Sequence, residues 1–289
     1  MTAPPDRAHR LAVAICGAGH SGSTLLGMVL GSHPDAFYAG EAKKSRFLGD
    51  EKKPLRKRVC KLCGLGCEVW GDFRVPPQPD LYEQLARKVG ATVIVDSTKD
   101  PAWIRERAAE LDRVGVEQRR VFLVRDGRAV VNSRLRKTPN EPIERTIERW
   151  QTRIRETRTL VEERPEQSTL VRYEELVTAP DVVVPRLAAF LGLAYDASML
   201  RYEAHRHHPL GGNTGTQSVV ARAEVAQADG VPGAFAAVPE RSRNYYQDLR
   251  GGFRLDLRWK TEMSAEARDA FERQAGQDNR AYEWEGAGA

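Results

Sequence analysis

Apolar residues in this chain gather into short unbroken runs that alternate with stretches of helical spacing. Leu11 to Cys16 is such a run, stopped by glycine, and predicts a buried strand; Leu25, Leu26, Val29 and Leu30 then lay an apolar stripe along a helix. Ala36 to Ala39 predicts a second short strand ending at Gly40-Glu41, and Thr92 to Val95 a third ending at Asp96. Pro101 opens a helix through Trp103, Ile104, Ala108 and Leu111, with Gly115 after its end. Val121 to Val124 predicts a strand that ends at Arg125 and leads into a helix from about Gly127 to Leu135. A long charged helix fits Ile143 to Val161, a strand Thr169 to Arg172, and a helix Pro180 to Leu191 closed by Gly192. Strands alternating with helices predict an α/β fold: a three-layer sandwich with a central parallel sheet, helices on both faces and ligands at the carboxyl ends of the strands.

Two regions break the alternation. Residues 43–80 are basic, then cysteine-containing, then proline-rich, and read as an insertion over the sheet. Residues 201–253 are rich in Gly, Ala and polar residues and read as loops, before a final helix from Ala265 to Ala275. No linker composition separates independent units. The expectation is one domain over 1–289, with a core at about 11–195 and C-terminal loops and a helix over 201–289.

The first strand-to-helix corner carries the chemistry. Gly17-x4-Gly22 matches the spacing of a phosphate-cradling P-loop, yet Ser23 stands where that template has lysine. The fold expected is therefore P-loop-like, with a loop that holds an anion through backbone N–H groups but is poorly suited to ATP hydrolysis. A net charge of +5 over 289 residues agrees with an anionic ligand. No apolar run approaches the ~18 residues that span a bilayer, and the first ten residues lack the apolar core of a signal peptide. A cytoplasmic chain with no membrane contact is expected, and four cysteines in this length are no secreted disulfide framework.

Four segments in order are similar to one family. Gly19-His-Ser-Gly-Ser-Thr-Leu-Leu26, Thr98-Lys-Asp-Pro101, Val124-Arg-Asp-Gly-Arg-Ala-Val-Val-Asn-Ser133 and Val171-Arg-Tyr-Glu-Glu-Leu-Val177 resemble the sulfotransferases that use 3′-phosphoadenosine 5′-phosphosulfate (PAPS). The likeness runs over residues 11–195 and is greater to bacterial and protein-tyrosine sulfotransferases than to the cytosolic phenol and steroid enzymes. It implies that backbone N–H groups from Ser21 through Gly22 to Leu25, with the hydroxyls of Ser23 and Thr24, hold the phosphosulfate. His20 stands where the family usually has Arg or Lys; protonated, it would donate to the bridging oxygen. Arg125 and Ser133 match the pair that binds the 3′-phosphate, with Arg128 as a further contributor, and Tyr173 matches a tyrosine near the nucleotide. Glu41 matches the catalytic glutamate that takes the acceptor proton, and Lys99 the lysine that neutralises charge on the sulfuryl group. Gly211, Gly212 and Asn213 match part of a loop that closes over the nucleotide. The product would be 3′,5′-adenosine bisphosphate (PAP), and the acceptor a hydroxyl of a small molecule or natural product.

Read without the family, Arg125–Asp126 and Asp96–Lys99 are equally local ion pairs. Cys60-x2-Cys63-x3-Cys67 has the compactness of a structural zinc site lacking a fourth ligand; a Cys63–Cys67 link and plain thiols stay open. His205, His207 and His208 read as loop residues or acceptor contacts. The basic run from Lys43 to Lys61 is a solvated loop or a guide for an anionic acceptor, and with only Phe47 among its cations it disfavours nucleic acid. The competing functions are a P-loop kinase, which Ser23 argues against, and a noncatalytic nucleotide or polyanion binder.

Overall fold

The computed structural model describes residues 7–74, 81–228, 240–246, 249 and 252–286. In chain order the elements are β1 (Leu11–Cys16), α1 (Ser23–Gly31), β2 (Ala36–Gly40), α2 (Leu81–Val89), β3 (Val93–Asp96), α3 (Pro101–Arg113), β4 (Glu117–Val124) and α4 (Gly127–Leu135). They continue with α5 (Ile143–Glu162), β5 (Ser168–Arg172), α6 (Tyr173–Thr178), α7 (Pro180–Phe190), α8 (Thr214–Ala228), α9 (Arg243–Tyr246), α10 (Trp259–Glu262) and α11 (Ala265–Asn279). The five strands form one parallel sheet in the order β2-β3-β1-β4-β5.

Strand periodicity divides the core in two. Val13 and Ile15 of β1, with Val121 and Leu123 of β4, face α1, α2 and α7. Ala14, Cys16, Phe122 and Val124 point the other way, towards α4, α5 and α11. Both faces of the sheet are covered, as all-parallel sheets require. Fully buried side chains such as Leu26 and Ile147 each contribute about 1.5–3 kcal/mol relative to exposure. Among the described residues no helix is long and apolar enough to cross a membrane.

Three expectations need correction. Residues 201–253 are not simply loops, since α8 runs through Thr214–Ala228; its even Gly, Ala and Val composition carries little periodicity, which hid it. The insertion expected over residues 43–80 is in part core: Cys60, Leu62, Cys67, Val69, Trp70 and Phe73 join the main core, and Val59 is buried. Its proline-rich end, 75–80, lies outside the described residues, and α2 follows it unanticipated. The last helix extends to Asn279, past Ala275.

Candidate active site

Each strand delivers one piece of the site at its carboxyl end. After β1, Gly17 takes φ +135°, where a Cβ would collide with the Leu123 carbonyl oxygen, so only glycine lets the loop turn against β4. Gly22, at φ +93°, lies under the Tyr173 ring, 2.5 Å from where a Cβ would stand. Between them His20 adopts φ +74°, which no other non-glycine residue among those described does with a positive φ. Gly22 caps α1 without a side-chain hydrogen bond, and no acidic residue occupies the first turn. The helix therefore presents open N–H groups and its positive dipole end beside Ser23 and Thr24.

The lysine missing at position 23 arrives from β3. Lys99 Nζ lies 3.1 Å from Ser23 Oγ, donates to Ser97 O (2.7 Å) and stands 3.6 Å from Glu41 Oε1. Asp96 is not its partner. That carboxylate accepts from Tyr82 Oη (2.7 Å), Trp103 Nε1 (2.8 Å), Thr98 N (2.7 Å) and Ala42 N (3.0 Å). Ala42 adjoins Glu41 and Thr98 adjoins Lys99, so Asp96 holds the two corners in register. Lys44 Nζ binds the other Glu41 oxygen at 2.6 Å, while Lys43 pairs with Asp100, the side chain that caps α3. Burial raises the Glu41 pKa, but Lys99 and Lys44 outweigh it and hold the carboxyl below its ordinary value. Burial lowers that of Lys99, against the pull of Glu41 and Asp96.

Arg125 does not pair with Asp126 either. Its guanidinium donates to His20 O (3.0 Å) and Asp256 O (2.9 Å), sits 3.2 Å from Asp256 Oδ2 and stacks 4.4 Å from the Tyr173 ring centre. Asp126 instead caps α4 and binds Arg128, which lies over Trp259 and is turned away from the site. His20 Nδ1 meets Ser133 Oγ at 3.0 Å, so the β1 and β4 corners touch. Burial, and then Lys137, Arg134, Arg125 and Lys99, depress the His20 pKa to about 3. Of the two forms the sequence left open, the neutral imidazole is therefore the one favoured at pH 7, because burial and then four nearby cations oppose its protonation.

One cavity of about 350 Å³ is lined by His20, Gly22, Ser23, Thr24, Leu25, Glu41, Lys99, Arg125, Ser133, Tyr173, Gly212 and Asn213. Ser21 is absent from its wall; its Oγ is buried below, with no partner among the described residues. Asn213 N donates to Thr24 Oγ1 (2.8 Å), and Gly212 packs on the same threonine. Sequence reasoning missed Arg134, Arg136, Lys137, Tyr245, Tyr246, Arg254, Asp256 and Arg258 on the same wall. Arg134 and Lys137 lie within four residues of Ser133 and were findable as a basic cluster; the 245–258 wall carries no local signal. Seven Lys and Arg side chains face the cavity against two carboxylates, which selects a multiply charged anion. His205 and His207 bond to the Ser198 and Tyr202 carbonyls, whereas His208 Nδ1 points at Cys63 Sγ (3.2 Å) and Cys67 Sγ (3.4 Å). His208 is therefore no acceptor contact but a partner of the cysteines.

A parallel five-stranded sheet with a glycine-bearing loop after its central strand is a fold that sulfotransferases have, and comparison with known proteins agrees. The sulfotransferase family profile matches residues 12–197, and the chain belongs to that family. A Caenorhabditis briggsae protein named "Putative protein-tyrosine sulfotransferase" is 26% identical over 208 residues, covering 69% of this chain and 70% of that protein. Among solved structures, the sulfotransferase domain from the curacin biosynthetic pathway superposes with a TM-score of 0.60 at 18% identity, over 96% of this chain and 99% of that one. The corresponding domain of the Synechococcus PCC 7002 olefin synthase gives 0.56 at 18% identity, over 98% of each chain. Mouse sulfotransferase SULT7A1, solved in complex with PAP, gives 0.50 at 10% identity, over 95% and 86%. These structural likenesses are of fold.

Proposed function

We propose that this sulfotransferase takes its sulfuryl group from PAPS and passes it to a hydroxyl of a small-molecule acceptor. The observation that carries the reading is the junction of His20, Arg125 and Ser133, which sets a guanidinium and a hydroxyl suited to a phosphate beside the uncapped start of α1. A nucleotide with anions at both its 3′ and 5′ ends matches two adjoining cationic corners; ADP, with one anionic end, does not. The buried, unpartnered Nε of Arg125, a residue of the cavity wall, also fits a ligand rich in acceptors.

PAPS supplies an activated sulfuryl group, whose bond to the 5′-phosphate oxygen breaks as the acceptor oxygen bonds to sulfur. Ser23, Thr24 and the N–H groups of Gly22 to Leu25 orient the 5′ end. Glu41 takes the acceptor hydroxyl proton. Lys99, poised between Glu41 and Ser23, moves its charge onto the developing negative oxygens, and in leaving Glu41 it makes that carboxylate a stronger base. Gly212 and Asn213 cover the 5′ end over Thr24. Lys44, on the outer oxygen of Glu41, gives an anionic acceptor a cation at the site's edge.

Titration calorimetry with PAP against ADP tests the reading: PAP should bind at least tenfold more tightly, and equal affinity would remove PAPS as the donor. A second expectation concerns His20. Burial, and then four cations, depress its pKa to about 3; a bound bisphosphate offsets the cations and lets it rise. Binding should then take up protons and tighten as pH falls below the ordinary histidine range towards about 3. Calorimetry in buffers of different ionisation enthalpy reads the uptake. His20→Asn should abolish the part due to the protein; uptake unchanged in that variant would show that His20 does not titrate.

A further inference from the structure

We propose that Cys60, Cys63, Cys67 and His208 hold a structural Zn²⁺ that clasps the segment after β2 to the segment leading into α8. The four ligand atoms lie within 4.8 Å of one another. Zn–S bonds of about 2.3 Å and a Zn–N bond of about 2.0–2.1 Å in a tetrahedron give ligand separations of about 3.5–3.8 Å. The 3.2 and 3.4 Å from His208 Nδ1 to two of the sulfurs already approach this.

The surroundings are those of a metal knuckle. Cys63 N donates to Cys60 Sγ (3.5 Å), and Gly64 turns the chain back at φ +72° to bond Cys60 O at 3.2 Å. Cys60 and Cys67 are buried and Cys63 is exposed at the mouth, which gives the ion a way in. The outer nitrogen of His208, Nε2, lies 3.2 Å from Glu68 Oε1, the carboxylate–histidine arrangement that fixes the tautomer of a ligating imidazole. Trp70 Nε1 holds the His208 carbonyl at 2.5 Å. Binding would release three thiol protons to solvent and leave His208 neutral, coordinating through Nδ1.

The clasp reaches the candidate active site through a short, fully bonded path. Two residues beyond His208, Leu210 donates to Ala39 O (3.0 Å), and its carbonyl accepts from Glu41 N (2.6 Å). Leu210 also bridges to both Gly40 and Cys60. Gly211 and Gly212 then turn, at φ +76° and +93°, to set Asn213 on Thr24. Fixing His208 thus fixes both the residue before Glu41 and the cover of the α1 N-terminus. This second consequence rests on the nucleotide reading above; the metal site does not.

The full chain should carry about one zinc by elemental analysis. Exchange with Co²⁺ should give thiolate charge-transfer bands and the intense ligand-field bands of a tetrahedral S₃N site. Cys63→Ser should lose the metal and Cys16→Ala keep it. Glu68→Gln, which leaves all four ligands, should weaken zinc affinity about 10–100-fold, so the proposal stays testable if the ligand variants fail to fold. Absence of both zinc and the Co²⁺ bands, full zinc content in Cys63→Ser, or a Cys63–Cys67 disulfide in the isolated protein would overturn the site. Chelation should weaken PAP binding about tenfold. Unchanged PAP affinity would overturn the link to the cover, whereas a zinc-loaded chain that never binds PAP would instead sink the nucleotide reading.

Discussion

Replacing Lys99 with alanine should lower turnover about 10²–10³-fold while leaving PAP affinity within a few-fold. Nζ stands 3.1 Å from Ser23 Oγ and 3.6 Å from Glu41 Oε1, so its charge lies between the donor's reacting end and the base. PAP lacks the sulfuryl group, and its binding should barely register the change. The pH profile separates this role from a structural one. With Lys99 in place, the Glu41 carboxyl sits below its ordinary value despite burial. Without it, only Lys44 opposes burial, so the Glu41 pKa rises. The acid limb of kcat, where protonated Glu41 is inactive, should move to higher pH in Lys99→Ala. Glu41→Gln should lose about 10²–10⁴-fold in turnover and show no such limb. A Lys99→Ala enzyme with an unmoved acid limb would take Glu41, Lys99 or both out of the chemistry.

The sequence was most readable where local physics is strongest. An apolar run such as Leu11–Cys16 has one economical fate, a strand buried on both faces, and a parallel sheet then sends every strand's last residue to one edge. That is why Glu41, Lys99, Arg125 and Tyr173, far apart in the chain and singled out by the family resemblance, could be expected at one edge. Their partners were not. Nothing local says that Lys99 turns from Asp96 to Ser23, because the preference is decided by Tyr82 and Trp103 occupying the Asp96 carboxylate. Nor does the sequence show that His20 is buried, with Lys137 and Arg134 beside it, which together oppose its protonation. His208 lies 145 residues from Cys63, and only tertiary packing brings the two together. Asp256 and Arg258 reach the site from a stretch without hydrophobic period, held by their own ion pair and by Arg125.

Arg125→Ala should erase the preference for PAP over ADP, weakening PAP about 10²-fold and ADP only slightly. Charge-assisted hydrogen bonds contribute about 1.5–3 kcal/mol each, and 1.4 kcal/mol is tenfold in affinity. A guanidinium gripping one phosphate therefore accounts for a loss of this order. It falls on the 3′-phosphate alone, which ADP lacks. Preorganisation strengthens the expectation. Asp256 and the His20 carbonyl hold the fork, and Tyr173 backs its face, so little ordering remains to oppose binding. Removing Arg125 does not strand Asp256, which keeps both its bonds to Arg258 (2.7 and 2.8 Å), so the fold should survive and ADP binding can be measured on the variant. Arg125→Lys keeps the charge but not the fork, and should recover only part of the loss. Ser133→Ala, which removes one neutral partner, should cost about fivefold. Were Arg125→Ala to weaken PAP and ADP equally, the guanidinium would be supporting the loop through the His20 carbonyl rather than reading the 3′-phosphate, and the distinction between the two nucleotides would have to come from Arg134 and Lys137 on the far side of Ser133.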